Sequence, residues 1–286
     1  MRKLIILLVC SLALWSKAFA KVELRHYQAP MGEEQWRVTT SRLRCGLSIR
    51  VLDYGIAYFE QYATKDPHFI MTHWQRERQG IKARVWTYPP VWRPNLRPGF
   101  VTNTKIQNSE FAVFLRRKSA LILLAGLAEG YMTRIDYRSE LGFDVKVDLS
   151  PIHFKKSYQR YIRCVGNLLP FNYRDIQLTT LYFNSSMEEL TDRDKFLLDR
   201  IRLYVSVDPR VKSVKIAGYS DNTGSRGVNN AISEARAKAV ADYLLTKGLP
   251  ERKLKVTWYG MLHPDDTNDT EIGRAKNRRV VIKVIK

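Results

Sequence analysis

Arg236 has the most unusual position in this sequence. The periodicity of residues 229–247 predicts a helix. At 100° per residue, Arg236 projects at about 40° when Ile232 is set at 0°, in the middle of the apolar face. A guanidinium there must pair with a carboxylate, because burial of an unpaired charge costs several kcal/mol in desolvation. The sequence therefore predicts a charged site on this helix.

The loop before this helix supplies a carboxylate. An apolar strand leads into Gly218-Tyr-Ser-Asp-Asn-Thr-Gly224, so Asp221 lies at the carboxyl end of a strand and just before a helix. Ligands tend to bind at such strand ends in open α/β arrangements. Asp221 is thus the nearest obvious partner for Arg236. The pattern leaves three interpretations open: a ligand site, a structural Arg236–Asp221 salt bridge, or an arginine that extends outward to solvent.

The same region resembles a known family. The residues Asn229-x-x-Ile-Ser-x-x-Arg-Ala-x-x-Val-x-x-x-Leu244 are similar to the signature of OmpA-like peptidoglycan-binding domains. Ile232 stands where that signature has Leu, and Ser220 stands where Thr is commoner. The flanking motifs are Gly218-Tyr-Ser-Asp-x-x-Gly224 and Gly273-Arg-Ala-Lys-Asn-Arg-Arg-Val280. The resemblance covers roughly residues 176–286.

This resemblance implies a ligand and a set of binding residues. OmpA-like domains hold the diaminopimelate of the wall's stem peptide, which bears both an ammonium and a carboxylate. By motif position, Asp221 would bind the ammonium and Arg236 the carboxylate, through its planar fork. Asn229, Asn277 and Arg278 match the family pattern as well and would line the same pocket. The resemblance implies neither a metal nor a cofactor.

The elements that would position these residues alternate between strand and helix. Strands are predicted near residues 177–183, 212–219, 253–259 and 279–285. Helices are predicted near residues 191–206, 229–247 and 269–278, with Gly248 ending the long middle one. This β-α-β-α-β-α-β order predicts a sheet with helices packed on it, in a domain at 175–286.

Residues 21–170 have a different pattern of apolar and polar residues, which predicts a β-rich domain. Apolar and polar residues alternate over 42–51, 81–88 and 142–149, which is typical of strands with one buried face. A proline-rich stretch at 89–98 cannot be a central strand. A helix is predicted to close this half, with Ser150 as its cap, Pro151 in its first turn and an apolar stripe behind them. The stripe consists of Ile152, Tyr158, Tyr161, Ile162 and Val165. The fold class is therefore α+β.

The two cysteines outside the leader, Cys45 and Cys164, predict a disulfide. An isolated pair in an oxidising compartment usually forms one bond, and the alternative is two buried free thiols. The bond would close a loop of about 120 residues and contribute ~4–5 kcal/mol on the chain-entropy model. It would tie the closing helix to the strand at 42–51.

Residues 1–20 have the pattern of a secretory signal peptide. A basic start and an apolar stretch end in Ala18-Phe19-Ala20, which predicts cleavage before Lys21 and export to the periplasm. Removal of Arg2, Lys3 and Lys17 lowers the formal net charge from +20 to +17. Export excludes nucleic acid as the partner of this basic chain. The available polyanions are then the cell wall, anionic lipid surfaces and acidic proteins.

The sequence does not predict an enzyme. The histidines are scattered, and the chain has neither a His-Glu-x-x-His zinc pattern nor a Gly-x-Ser-x-Gly elbow. The histidines are His26, His68, His73, His153 and His263. Lone histidines are more often surface or core residues than catalytic ones.

The whole arrangement resembles the MotY family of periplasmic flagellar proteins. Both have a β-rich first domain, two cysteines and a wall-binding second domain. The resemblance implies that the first domain joins the flagellar basal-body ring, with ring proteins such as MotX as partners. The second domain would fix that ring to the wall and so keep the stator complex in place. A generic OmpA-like envelope tether unrelated to motility is the alternative interpretation.

Overall fold

A computed structural model describes residues 23–286, except residues 31, 33, 34, 76, 78 and 79. The predicted signal peptide, residues 1–20, lies outside the described residues. Within them, no helix combines the length and the apolar character needed to cross a membrane.

The first half consists mainly of β-strands. Its strands are β1 (Leu24–Gln28), β2 (Arg37–Thr40), β3 (Arg44–Val51), β4 (Gly55–Tyr62), β5 (His68–Thr72), β6 (Ile81–Tyr88), β7 (Gly99–Ile106), β8 (Phe111–Leu115), β9 (Met132–Arg138) and β10 (Asp144–Leu149). Its helices are α1 (Arg117–Ala128) and α2 (Phe154–Gly166). The β-rich character predicted from alternation is confirmed. The proline-rich stretch lies between β6 and β7, outside both strands.

These strands form two five-stranded sheets. One has the order β1-β10-β9-β6-β7 and the other the order β2-β3-β4-β5-β8. A single core contains residues from both sheets and both helices, including Leu47, Val85, Leu123 and Tyr161. Cys45 on β3 and Cys164 on α2 form a disulfide with a Cα–Cα distance of 5.9 Å, as the sequence predicts.

Two features of this half differ from the sequence prediction. Helix α1 was not predicted, because its run of apolar residues at 121–128 carries no clear period. Helix α2 begins at Phe154, so Ser150 is not its cap. The Ser150 hydroxyl instead accepts a hydrogen bond from the backbone N–H of Ile152, which forms a turn before the helix. Ile162, predicted to be in the apolar stripe, is 46% exposed.

The second half has the predicted alternation of strands and helices. Its elements are β11 (Leu178–Tyr182), α3 (Asp192–Val207), β12 (Ser213–Gly218), α4 (Arg226–Thr246), β13 (Leu254–Trp258), α5 (Glu271–Asn277) and β14 (Arg279–Ile285). The strands form a sheet of order β11-β14-β12-β13, in which β12 and β13 are parallel and β14 is antiparallel to both its neighbours. The predicted fold class is confirmed.

Local sequence explains where these helices begin. Thr191 and Asp194 form a capping box at the start of α3, in which each side chain binds the other's backbone N–H. Ser225 caps α4 and Thr270 caps α5. Gly248 follows α4 with a φ of 87°, which a residue with a side chain rarely adopts.

The segment at 169–173, which the sequence suggests as a linker, is packed between the halves. Leu169 and Phe171 are buried in the core of the second half. The Leu169 N–H donates to the Arg42 carbonyl at 2.9 Å. The Asn172 side-chain amide donates to the Thr64 hydroxyl at 2.7 Å. These contacts hold the connection against the first half.

Candidate functional site

The predicted site lies where β12 passes into α4. Gly218 ends the strand, and a Cβ at this position would lie 2.1 Å from the carbonyl oxygen of Ser233. Only glycine therefore permits this close approach of strand and helix. As a result, the loop that carries Asp221 lies against the helix that carries Arg236.

Arg236 is buried, as its position on the apolar face predicts. It is 1% exposed and is the largest fully buried side chain among the described residues. Its Nε and Nη2 donate to the carbonyls of Met187 and Asn184, both at 2.9 Å. Nη1 makes a longer contact of 3.4 Å with the carbonyl of Tyr219. Main-chain dipoles thus surround the guanidinium.

No carboxylate within the described ranges forms a salt bridge with Arg236. Burial lowers the pKa of Arg236 to about 10, and the nearby charge of Asp221 partly offsets this effect. The guanidinium therefore remains protonated at neutral pH. The guanidinium is thus a buried positive charge that hydrogen bonds stabilise but that no carboxylate of the described residues contacts directly.

Asp221 pairs with a different arginine, which corrects the salt bridge considered from sequence. Arg278 Nη1 donates to Asp221 Oδ2 at 3.0 Å, and Nη2 donates to Glu271 Oε1 at 2.8 Å. Burial opposes the charge of Arg278, but its hydrogen bonds to Glu271 and Asp221 outweigh burial and raise its pKa. Asp221 Oδ1 also accepts from the Thr223 N–H at 3.0 Å. A carboxylate has about four acceptor positions, so Asp221 retains capacity for a further donor.

A cavity of about 140 Å³ brings most of the predicted residues together. It is lined by Ser185, Ser186, Ser220, Asp221, Thr223, Val228, Asn229, Ile232, Arg236 and Arg278. The Ser220 hydroxyl is buried and has no hydrogen-bond partner in the described part of the chain. Such a group is costly unless a ligand or water binds it. The cavity thus offers a cation, an anion and an unused hydroxyl.

Asn277 is not among the residues that line this cavity, and its part in ligand binding stays a prediction. It is completely buried and accepts hydrogen bonds from the N–H groups of Asp265 and Asp266. Its amide nitrogen donates to the Asp266 carbonyl at 2.8 Å and to Asn268 Oδ1 at 2.9 Å. Asn277 therefore fixes the loop at 265–268.

The segment between β11 and α3 also contributes to the site, and sequence reasoning missed it. Asn184 and Met187 supply carbonyls to Arg236, and Ser185 and Ser186 line the cavity. Ser186 has a φ of 54°, in the left-handed region. Carbonyl groups are present at every residue, so no side-chain pattern marks the ones that bind Arg236. In this segment only the polar pair Ser185 and Ser186 could have indicated a binding site.

The comparisons with known proteins extend over nearly the whole chain. The model of the MotY N-terminal domain matches residues 27–170, and that of the OmpA family matches residues 182–278. The chain is 30% identical to the sodium-type flagellar protein MotY of Vibrio parahaemolyticus over 265 residues, which is 91% of this chain and 90% of that protein. The chain belongs to the MotY family.

Two further similarities of this MotY-family chain each cover just over a third of its length. It is 40% identical to the peptidoglycan-binding protein ArfA of Mycobacterium tuberculosis over 102 residues, 36% of this chain and 31% of that protein. Among solved structures, the C-terminal domain of Helicobacter pylori MotB is 24% identical, with a TM-score of 0.35, over 38% of this chain and 84% of that one.

Proposed function

We propose that the second half of this chain binds peptidoglycan noncovalently through the cavity that holds Arg236 and Asp221. The observation that carries this proposal is the charge of Arg236, which is buried and whose hydrogen-bond acceptors among the described residues are carbonyls. Burying an unneutralised charge costs several kcal/mol unless an anion completes the site. A ligand carboxylate would supply that anion.

Diaminopimelate fits both charges of this cavity. Its free end carries a carboxylate, which would bind the Arg236 guanidinium, and an ammonium, which would bind Asp221. Asp221 is already held by Arg278 and Thr223, so its carboxylate is fixed before the ligand arrives. Ser220 and Asn229 would supply further polar contacts. The similarity to the peptidoglycan-binding protein ArfA supports this proposal.

The wider role proposed is that of a periplasmic flagellar motor component. The similarity to a sodium-type flagellar protein over 91% of the chain supports it. In this role the first half joins the basal-body ring together with ring proteins such as MotX. The second half fixes the ring to the wall, so that the stator complex stays in place while it generates torque.

The binding site is tested by pelleting the mature chain with purified sacculi. Arg236→Lys keeps the charge but removes the planar fork, and Asp221→Asn removes the charge that faces the ammonium. Each variant should bind at least about tenfold more weakly, since each loses a charge-assisted hydrogen bond to the ligand, which contributes ~1.5–3 kcal/mol.

Two substitutions on α4 serve as matched controls. Arg226→Lys and Asp242→Asn repeat the same chemical changes at exposed positions of that helix and should pellet like the wild type. Thermal melting establishes that all four variants are folded. Normal pelleting of folded Arg236→Lys and Asp221→Asn would reject the site.

The motor role is tested by deleting the gene in its source bacterium. Deletion should leave cells that carry flagella but do not swim, because the stator complex is no longer held against the wall. Electron microscopy counts the flagella, and tracking measures swimming speed. Normal swimming would reject the motor role and favour the generic envelope tether.

A further inference from the structure

In the sheet formed by β2, β3, β4, β5 and β8, one face packs into the core and the other carries exposed side chains among the described residues. Its inner face supplies Leu47, Phe59 and Phe69 to the core, where each is fully buried. Alternate residues point to the outer face. Antiparallel sheets that expose one face usually place polar residues there. The outer face of this sheet departs from that pattern.

The strand register shows which residues share the outer face. One row crosses all five strands, because Arg37 pairs with Ser48, Ser48 with Tyr58, Tyr58 with Ile70, and Ile70 with Phe114. This row passes from a cation at one edge of the sheet to an aromatic ring at the other.

A second row runs beside the first. Arg50 pairs with Ile56, the Ile56 N–H binds the Thr72 hydroxyl at 2.9 Å, and Thr72 pairs with Phe111. Trp74 lies at the end of this row, with its ring centroid 5.0 Å from the guanidinium carbon of Arg50. The first row therefore begins with arginine on the edge strand β2, and the second row has arginine on the next strand, β3. Apolar residues follow further across the sheet in both rows.

Ile70 of the first row is buried, but four apolar residues in or beside these rows are exposed. Ile56 is 41% exposed, Phe111 41%, Phe114 45% and Trp74 49%. Single exposed apolar residues are common, but contiguous apolar patches usually mark interaction sites. The register makes these residues neighbours on one face, so they form such a patch.

Two of the three arginines of this face have no carboxylate partner in the described part of the chain. Arg44 pairs with the buried Glu60, whereas neither Arg37 nor Arg50 forms a salt bridge there. Both line a cavity of about 570 Å³ together with Gln35, Ser48, Ile56 and Trp74. The cavity thus joins two unneutralised cations to an apolar wall.

We propose that this outer sheet face is the docking surface for an acidic partner protein. A segment of that partner supplies carboxylates to Arg37 and Arg50. Apolar side chains of the same segment contact Ile56, Trp74, Phe111 and Phe114. The inference rests on the proposed role of the first half in the basal-body ring, and it specifies the surface used. Charge complementarity selects the partner, because the unneutralised charge of the face is positive. An anionic lipid surface would be met by a plane of cations, whereas here Arg37 and Arg50 lie on the neighbouring strands β2 and β3, at one side of the sheet.

The test uses the mature full chain and basal bodies purified from cells that lack the gene. Cosedimentation with basal bodies should fall about tenfold in the Arg37→Glu/Arg50→Glu variant, because the charges then repel the acidic partner. Phe114→Ser should weaken binding to a similar extent, because it removes an apolar contact. Both variants should bind sacculi normally, since the proposed wall site is in the other half.

The control reverses the same amount of charge elsewhere in the first half. Lys155 and Lys156 on α2 are exposed and form no salt bridge among the described residues, so Lys155→Glu/Lys156→Glu should bind basal bodies within about twofold of the wild type. Thermal melting and sacculus binding establish that each variant is folded.

The outcomes separate this inference from the proposed motor role. Wild-type chain that does not sediment with basal bodies rejects the ring role and this docking surface with it. Wild-type binding that survives both face variants rejects only the docking surface. Arginine-dependent binding to phosphatidylglycerol vesicles, or an arginine-dependent dimer in sedimentation velocity, also overturns the proposal, because the occupant is then a lipid or a second copy.

Discussion

At the scale of single residues, two neighbouring arginines of the cavity have different environments. Arg278 binds two carboxylates, those of Asp221 and Glu271, and its charge is neutralised within the protein. Arg236 binds carbonyls and keeps an unneutralised charge. This difference assigns the ligand carboxylate to Arg236 and gives Arg278 the task of fixing Asp221.

Asp208 is the centre of a second ionic cluster, which also contains Lys286, the last residue of the sequence. Its carboxylate is buried and accepts from Arg210 Nε at 2.9 Å, from Lys286 Nζ at 2.8 Å and from the Tyr204 hydroxyl at 3.0 Å. Burial opposes its charge, but hydrogen bonds to Arg210 and Lys286 outweigh burial and hold the pKa of this carboxyl well below its usual range. The cluster ties the last residue to the end of α3.

This lowered pKa makes the contribution of Asp208 dependent on pH. A carboxyl whose pKa is lower in the folded state stabilises the fold above its unfolded pKa of about 3.9 and loses that effect as pH falls through the folded value. Asp208→Asn should therefore lower the free energy of unfolding by ~1–2 kcal/mol at pH 7, allowing for the exposure of Arg210. The deficit should shrink as pH falls below about 4.

Urea unfolding at pH 7 and at pH 3 measures this effect. Asp192→Asn is the control, since Asp192 is fully exposed and its contact with Lys195 should contribute little. An equal deficit for Asp208→Asn at both pH values would show that its ionisation is not the cause.

At the scale of elements, the disulfide joins β3 to α2 across the core of the first half. Cys45 and Cys164 are both buried, and their separation of 119 residues encloses most of that half. The bond therefore restrains the unfolded chain over a long loop, which is where a disulfide is expected to stabilise most. It also holds α2 against the sheet whose outer face is the proposed docking surface.

Removal of this bond should destabilise the first half. Cys45→Ser/Cys164→Ser should lower the free energy of unfolding by ~4 kcal/mol, because the unfolded state regains loop entropy. Urea unfolding followed by tryptophan fluorescence measures the change. Wild-type chain treated with a reductant should show the same loss. Unchanged stability in the double variant would show that the bond is not structural.

At the scale of the whole molecule, the two halves share contacts. Ala63, from the first half, is buried in the core of the second, and Leu43 packs against that core. Leu169 and Phe171 belong to the same core. The proposed wall site and the proposed docking surface are therefore carried by halves that pack together, so force on one half is transmitted through buried contacts to the other.

Much of the second half could be predicted because its signals are local. The strand predicted at 279–285 matches β14 residue for residue, and the predicted helices differ from α3, α4 and α5 by one to three residues at each end. Periodicity, capping residues and Gly248 depend only on near neighbours in the chain. For the same reason, the period of α4 was enough to predict that Arg236 lies on the apolar face, while it left open whether the guanidinium is buried or extends to solvent.

The sequence by itself thus determined the fold class and the position of Arg236 on the apolar face of a helix that follows the loop of Asp221, and it favoured the disulfide. The structure then showed the disulfide and the burial of Arg236. Only the tertiary structure decided that Asp221 pairs with Arg278, that Asn277 supports a loop, and that the carbonyls of Asn184 and Met187 hold Arg236. It also decided which exposed residues share one sheet face. These features depend on which segments, distant in the chain, come into contact. A local pattern of side chains contains no information about such contacts.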